Sequence, residues 1–213
     1  MENAGNEFRV DEQNKIYILG GKGVGKTSFF HLLFSEKFDE NIEPSEAGIV
    51  ISTFKKDNKV FTIKELTDDE NFSKTKILKN ELEDILLIFI LFSIDNKESF
   101  EYAKNLVQFI KNNLINNKEL NIMLVGNKYD IGENDPDKIK VPKKEVDQYI
   151  YHIENVFYKE LSCKTNYNFK TLKELIENIE LNDTNEDEDD GKIPEEERKK
   201  KVDEAKDSSC LII

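Results

Sequence analysis

The stretch Gly20-Gly21-Lys22-Gly23-Val24-Gly25-Lys26-Thr27 lies between an apolar run, Lys15 to Leu19, and a segment of helical character, Ser28 to Phe34. It matches the G-x-x-x-x-G-K-S/T pattern, in which consecutive backbone N–H groups of a glycine-rich loop point at phosphate oxygens. The dipole at the start of the following helix adds positive potential at the same point. The stretch therefore predicts a phosphate-binding loop with a strand before it and a helix after it.

Two side chains of this loop are predicted to bind different parts of the ligand. Lys26 would reach the β and γ phosphates of a bound nucleotide, and Thr27 would offer its hydroxyl to a magnesium ion, which prefers oxygen ligands. A glycine-rich turn without a ligand is the alternative, and the flanking strand and helix patterns argue against it. The residues predicted to hold the phosphates are Gly21, Lys22, Gly23, Val24, Gly25, Lys26, Thr27 and Ser28.

The composition is typical of a soluble domain with charged extensions: 213 residues, 38% of them hydrophobic and 35% charged. A net charge of −13 argues against a nucleic-acid partner, because that binding depends on clustered Lys and Arg. The two cysteines, Cys163 and Cys210, indicate no disulfide framework and favour a reducing compartment. The polar residues Met1 to Asn6 do not resemble a signal peptide, and the longest apolar run, Ile85 to Phe92, is too short to span a membrane.

Apolar stretches with strand character alternate with helical patterns, which is typical of a parallel α/β sheet. Asp57-Asn58, between the second and third strands, favours an antiparallel hairpin. We predict one folded domain over residues 15–181, after an extension at 1–14 and before a charged, disordered tail at 182–213. Strand candidates are Lys15 to Leu19, Gly48 to Lys55, Lys59 to Leu66, Ile85 to Ile94, Asn121 to Val125 and Val156 to Leu161. Helix candidates are Thr27 to Ser35, Asn71 to Asn80, Lys97 to Asn113, Lys143 to His152 and Phe169 to Leu181.

The tetrad Asn127-Lys128-Tyr129-Asp130 follows a predicted strand, at the edge where open α/β sheets bind ligands. The Asp130 carboxylate can accept two hydrogen bonds from the N1 and N2 edge of guanine, whereas adenine offers no such pair. Ser162-Cys163-Lys164 follows the next predicted strand and reaches the same edge. Taken alone, that triplet is more typical of a polar turn than of a binding loop.

The order and spacing of these motifs resemble the Ras superfamily of small GTPases, over roughly Lys15 to Leu181. The resemblance implies a P-loop NTPase fold, a three-layer α/β/α arrangement with a six-stranded, mostly parallel sheet, one antiparallel edge strand and about five helices. It also implies GTP or GDP and Mg²⁺ as cofactors. The implied partners are effector proteins, an exchange factor and an activating protein, and the implied state is a monomer.

The resemblance further implies a role for each matching residue around the base and the metal. Ser45, which follows Pro44, would join the magnesium ion when GTP is bound, and Phe38 would pack against the guanine ring. On the residues alone, both are ordinary loop or core side chains. The residues implied on the other side of the base are Asn127, which braces the loops, Lys128, which lies along the base, Asp130, which selects guanine, and Ser162, Cys163 and Lys164, which support its far edge.

The second switch departs from the family pattern, Asp-x-x-Gly followed by a Gln that orients the attacking water. Aligned through Lys59 to Leu66, those positions hold Glu65, Asp68 and Asp69. Glu65 would still hold a magnesium-bound water, whereas Asp69 places a negative charge at the catalytic position, where it repels a triphosphate. Lys22 stands where the family often has Gly, and three roles are open for it: it would obstruct an arginine from an activating protein, neutralise Asp68 or Asp69, or lie in solvent. We therefore predict slow or impaired intrinsic GTP hydrolysis, and the sequence leaves open whether the protein is an active GTPase.

Two other interpretations remain open at this point. One is a scaffold that binds nucleotide without hydrolysing it and recruits partners constitutively, because Asp69 replaces the water-orienting Gln. The other is an ATP-using phosphotransferase, which Asp130 and the lack of a basic lid in the sequence disfavour. The branch within the superfamily is also open, since Asp95 to Phe100 is similar to Ras or Rab members and a single prenylation cysteine is typical of Ras or Rho.

The chain ends Cys210-Leu211-Ile212-Ile213, which fits the C-a-a-X prenylation pattern, and its last residue most resembles the leucine that directs geranylgeranylation. One lipid gives only weak attachment, so a second signal is needed. Arg198 to Lys201 supplies basic charge, which Glu195 to Glu197 dilute. We expect a cytoplasmic protein that is reversibly attached, through lipidated Cys210, to the cytosolic face of the plasma membrane or an endomembrane.

Overall fold

A computed structural model describes residues 15–35, 37–43, 48–56, 59–67, 85–113 and 120–177. All of them lie within Met1–Glu180, the first of two units into which the chain divides. The strands are β1 (Lys15–Gly20), β2 (Gly48–Lys56), β3 (Lys59–Thr67), β4 (Ile85–Ser93), β5 (Asn121–Asn127) and β6 (Val156–Glu160). They form one six-stranded sheet in the order β2-β3-β1-β4-β5-β6.

The pairing of the strands confirms the predicted fold class. β1 runs parallel to β3 and β4, and β5 runs parallel to β4 and β6. β2, at one edge, is antiparallel to β3, with Lys56 opposite Lys59. The chain therefore reverses between these two lysines, as the turn signal there predicted.

Five α-helices are described: α1 (Lys26–Ser35), α2 (Lys97–Asn113), α3 (Tyr129–Asn134), α4 (Lys143–Ile150) and α5 (Phe169–Glu177). The predicted helix near Asn71 to Asn80 lies outside the described residues. The sequence pattern did not predict α3, because a six-residue helix containing Gly132 has no apolar repeat. Gly132 is buried there, and a Cβ on it would lie 2.7 Å from the Ile139 side chain, so tertiary packing decides this helix.

The helices cover both faces of the sheet. Phe29 of α1 packs against Phe89 of β4 and Phe169 of α5, with ring centroids 5.3 and 5.6 Å apart. On the opposite face, Phe100 of α2 packs against Phe92 of β4, with centroids 4.8 Å apart. Since β4 is covered on both sides, its near-continuous apolar run is explained by burial of a central parallel strand.

This arrangement decides where the polar loops lie. The carboxyl ends of the neighbouring parallel strands β1, β4, β5 and β6 meet at one edge of the sheet. The loop after β1, the tetrad after β5 and the triplet after β6 therefore share that edge, which is where ligands bind in open α/β sheets. No helix of the described residues is long and apolar enough to cross a membrane.

Candidate functional site

The end of β1 and the loop that follows it each contain a glycine whose backbone conformation other residues rarely adopt. Gly20 has φ 144°, and a Cβ there would collide with the carbonyl oxygen of Leu91. Gly25 has φ 94°, and a Cβ there would collide with Nδ2 of Asn127. The glycines thus bring the loop against β4 and against the end of β5, which fixes its curl at the sheet edge.

Lys26 places its ammonium group over the loop. Its Nζ donates hydrogen bonds to the carbonyl oxygens of Gly20 (3.0 Å) and Gly21 (2.9 Å), and the residue is 93% buried, being 7% exposed. The Lys26 ammonium lies beside the N-terminus of α1, where both the helix dipole and the lysine favour a bound anion. The loop therefore has the charge and shape to receive an anion such as a phosphate.

The other residues of the loop differ in exposure. Lys22 and Gly23 are exposed and Val24 is buried, whereas Gly21, Gly25, Thr27 and Ser28 are half-buried. Lys22 therefore stands at the outer rim of the loop, where an approaching protein would meet it.

Thr27 and Glu65 form the part of the site suited to a cation. The Thr27 hydroxyl donates a 2.8 Å hydrogen bond to Oε1 of Glu65, which is fully buried at the end of β3. Glu65 thus reaches the loop directly in spite of its longer side chain. A hydroxyl and a carboxylate are the oxygen donors that Mg²⁺ prefers, especially where phosphates supply further ligands, so these residues fit that ion. Ser45 and Asp69, the other predicted metal and catalytic positions, lie outside the described residues.

Asn127 joins the loops on the two sides of the site. Its side-chain Nδ2 donates to the carbonyl of Val24 (2.9 Å), and its Oδ1 accepts from the backbone N–H of Cys163 (3.1 Å). Asn127 is 2% exposed, so both of its contacts are shielded from water. One side chain therefore connects the phosphate loop with the turn that follows β6.

Asp130 and Ser162 bring the two other loops together. The Ser162 hydroxyl donates a 2.6 Å hydrogen bond to Oδ1 of Asp130 and also accepts one from the backbone N–H of Thr165. Asp130 lies in the first turn of α3 and is half-buried, while Ser162 is fully buried. The carboxylate is thus held at the edge of the site by one oxygen. The geometry suits a group that accepts hydrogen bonds from a ligand.

Lys128 and Cys163, which were also predicted to lie around the base, differ in backbone conformation and in hydrogen bonding. Lys128, half-buried, has φ 68° immediately before α3. Cys163 offers its backbone N–H to Asn127, and its thiol is buried. Burial raises the pKa of that thiol to about 12; the hydrogen bond with Asn127 lowers the pKa by less than burial raises it, and Asp130 adds a smaller rise. The thiol is therefore neutral and serves packing.

The segment 37–43 reaches the same end of the molecule. Phe38 in it is half-buried, and Glu40 lies 3.6 Å from Nζ of Lys164 in an exposed ion pair. The pair is too exposed to contribute more than about 1 kcal/mol to stability. It nevertheless brings Glu40, two residues after Phe38, next to the loop that follows β6.

Sequence reasoning did not identify Tyr129 and Tyr167 as partners. Their rings stack with centroids 4.5 Å apart and planes 11° apart. Tyr129 lies inside the tetrad, but Tyr167 is 38 positions later in sequence and carries no motif. Tyr167 reaches this position in the turn after β6, where it pairs with Ser162 in an antiparallel bridge.

The chain is similar in sequence to one protein-family model and to several GTP-binding or Ras-related proteins. A protein-family model described as "Ras family" matches residues 15–181. The GTP-binding protein YPT53 of Saccharomyces cerevisiae is 30% identical over 170 residues, which are 76% of this chain and 76% of that protein. The Ras-related protein Rab-32D of Dictyostelium discoideum is 28% identical over 83% of this chain and 78% of its own. The human GTP-binding protein Rhes is 27% identical over 72% of this chain and 59% of its own. The matched residues include the phosphate loop, the tetrad after β5 and the triplet after β6.

Proposed function

The chain belongs to the Ras family, and on this premise we propose that it is a guanine-nucleotide-binding molecular switch of the small GTPase type. It binds GTP or GDP together with Mg²⁺ and hydrolyses GTP slowly. It acts in signalling or trafficking at the cytosolic face of a membrane.

The observation that carries this proposal is the position of Asn127 between the loops. Its hydrogen bonds to Val24 and to the Cys163 backbone span the phosphate side and the base side of one site. A ligand that fills such a site has an anionic end and a planar polar end at a fixed distance, which describes a nucleotide. The hydrogen-bond acceptor at the planar end is Asp130, which suits guanine and leaves adenine unpaired.

The contacts in the site support assigning each residue to the phosphates, the metal or the base. The backbone of Gly21 to Ser28 and the Lys26 ammonium hold the phosphates, Thr27 holds the metal, and Glu65 holds a water bound to the metal. When bound, Mg²⁺ supplies charge neutralisation on the phosphate oxygens. Ser45 completes the metal site and Phe38 covers the guanine ring, as the family resemblance implies.

Slow hydrolysis is proposed because Asp69 replaces the water-orienting Gln and Lys22 occupies the exposed rim of the phosphate loop. Single-turnover GTP hydrolysis tests it with the wild-type chain and the Asp69→Gln and Lys22→Gly variants. Asp69→Gln is expected to raise the intrinsic rate, and Lys22→Gly is expected to raise the response to an activating protein. A wild-type rate equal to that of ordinary family members would refute slow hydrolysis.

The alternative is a scaffold that does not hydrolyse nucleotide and recruits partners constitutively, which the acidic pair Asp68 and Asp69 favours by opposing γ-phosphate contact. An effector pull-down with GDP and with a non-hydrolysable GTP analogue separates the two. A switch captures partners mainly with the analogue, whereas a scaffold captures them equally with both.

Membrane attachment is proposed through prenylation of Cys210 with help from Arg198 to Lys201. The test compares membrane fractions of cells that express the parent chain and the Cys210→Ser variant. The parent should divide between membrane and cytosol, and the variant should be cytosolic. Equal distribution of the two chains would contradict the proposal.

The decisive experiment for nucleotide binding is to identify what copurifies with the full chain and in what ratio. One GDP or GTP per chain is expected. ADP and ATP serve as competitors, because displacement by them would favour the phosphotransferase interpretation. A folded chain that takes up neither GDP nor GTP in the presence of magnesium would overturn the proposed function.

A further inference from the structure

The stack of Tyr129 on Tyr167 lies directly beside the group that selects the base. Tyr129 immediately precedes Asp130, and its backbone N–H donates to the carbonyl of Leu161 (3.1 Å), the residue that follows β6. Tyr167 is paired with Ser162 in an antiparallel bridge, where its carbonyl accepts from the Ser162 N–H at 3.2 Å. The two rings thus belong to the two loops that meet at Asp130.

These contacts form a closed circuit around the carboxylate. The circuit runs from the Tyr129 ring to the Tyr167 ring, through the Tyr167 carbonyl to Ser162, and through the Ser162 hydroxyl to Asp130 at 2.6 Å. The peptide bond between Asp130 and Tyr129 closes it. In a closed circuit each contact restrains the others, so the stack limits how far the two loops can separate.

The turn that carries Tyr167 is held in place independently of the stack. Asn166 and Asn168 have positive φ values of 61° and 56°, and the Asn168 side chain donates to the carbonyl of Glu160 at 3.0 Å. Tyr167 is nevertheless 37% exposed, so its side chain is not part of the buried core. The Tyr129 phenol has a raised pKa, caused chiefly by Tyr167 and further by burial and Glu160, so it stays neutral in the stack.

We infer that the stacked rings of Tyr129 and Tyr167 are positioning residues that hold the Asp130 carboxylate in the orientation needed to recognise guanine. This inference rests on the proposed function. Hypoxanthine lacks the 2-amino group that guanine presents to a carboxylate. A correctly oriented Asp130 therefore distinguishes GDP from IDP, whereas a loosely held Asp130 distinguishes them less.

The test measures dissociation constants of GDP and IDP for the full chain and its Tyr167→Ala variant. The interaction free energy of one aromatic pair corresponds to about a two- to tenfold change in a dissociation constant, so losing the stack should weaken GDP binding by that factor. IDP binding should weaken less than GDP binding. The dissociation constant of IDP divided by that of GDP should therefore fall toward one. Tyr167→Phe keeps the ring and should restore the ratio, and Tyr151→Ala, at an exposed aromatic outside the site, should leave it unchanged.

A merely structural role would weaken GDP and IDP equally, and that result would overturn the inference. A Phe variant that behaves like the Ala variant would also overturn it. If Tyr167→Ala does not fold, Tyr129→Leu removes the other ring and should lower the same ratio. Wild-type protein that binds neither nucleotide would overturn the proposed function together with this inference, whereas normal GDP binding with an unchanged ratio in both variants overturns this inference alone.

Discussion

The Thr27 hydroxyl donates a 2.8 Å hydrogen bond to Oε1 of Glu65, which joins the first turn of α1 to the buried end of β3. Glu65 is fully buried, and a buried carboxylate is costly unless charged or polar partners compensate it. A divalent cation bound beside Thr27 would therefore lie close to a carboxylate that is shielded from water.

Glu65→Gln is expected to raise the magnesium concentration needed to slow GDP release by about tenfold, because the variant keeps the shape of the side chain and loses its charge. The measurement is the GDP dissociation rate across a magnesium titration. Glu145→Gln is the control, since Glu145 pairs with Lys97 on the surface between α4 and α2. Unchanged magnesium dependence in Glu65→Gln would contradict the proposed role.

Asn127→Ala is expected to lower the free energy of unfolding by about 1–3 kcal/mol for each buried group left without a partner. Those groups are the carbonyl of Val24 and the N–H of Cys163. Urea unfolding with EDTA and without added nucleotide measures the effect on the protein alone. The matched control is Asn113→Ala, which removes an exposed 2.7 Å hydrogen bond to the Phe109 carbonyl and should cost less than about 0.5 kcal/mol. Equal losses in the two variants would show that Asn127 does not brace the loops.

Asp130→Asn is expected to weaken GDP binding by about tenfold or more, because an amide cannot accept both N–H groups of guanine. Xanthine carries an oxygen in place of the 2-amino group, so XDP should bind the variant better than it binds the wild-type chain. Competition with GDP, XDP and ADP measures both effects. A variant that prefers GDP to XDP as strongly as the wild-type chain does would argue against base selection by Asp130.

The Cys163 thiol is expected to resist alkylation in the folded protein. Its pKa is raised to about 12 by burial, so at pH 8 almost all of it is the unreactive thiol and not the thiolate. The measurement is iodoacetamide labelling in the Cys210→Ser background, in which Cys163 is the only cysteine. Labelling should rise with pH and should become fast in urea, where the pKa returns to its ordinary value. Fast labelling of the folded chain at pH 8 would contradict the burial of this thiol.

The raised pKa of Cys163 also makes the free energy of unfolding depend on pH. The folded-state pKa of Cys163 lies above its unfolded value, so the folded chain retains a proton that the unfolded chain loses. The stabilising contribution is complete below the unfolded pKa and falls as the pH rises from about 8.5 toward 12. The loss of stability between pH 8 and 9.5 should therefore be smaller in Cys163→Ala than in the parent, as urea unfolding at the two pH values would measure.

The local part of the fold could be predicted from sequence. The glycines and Lys26 in their fixed spacing predicted the loop between β1 and α1, and the apolar run beginning at Ile85 predicted a central buried strand. Both patterns lie within one element or one turn, where backbone geometry and burial follow from neighbouring residues. The six-stranded, mostly parallel sheet with one antiparallel edge strand followed from the family resemblance and was confirmed, whereas the order of the strands came from the structure.

The contacts that build the candidate site were decided by the tertiary structure. Asn127 and Val24 are 103 positions apart, and Thr27 and Glu65 are 38 positions apart. The helix α3 and the stack of Tyr129 on Tyr167 likewise depend on what packs beside them. Such contacts require the register of parallel strands, which brings their carboxyl ends together, and the rotamers of buried side chains, which depend on the whole core. The sequence by itself determined which chemical groups were present, and folding determined which of them touch, because the physical constraint on each contact comes from residues distant along the chain.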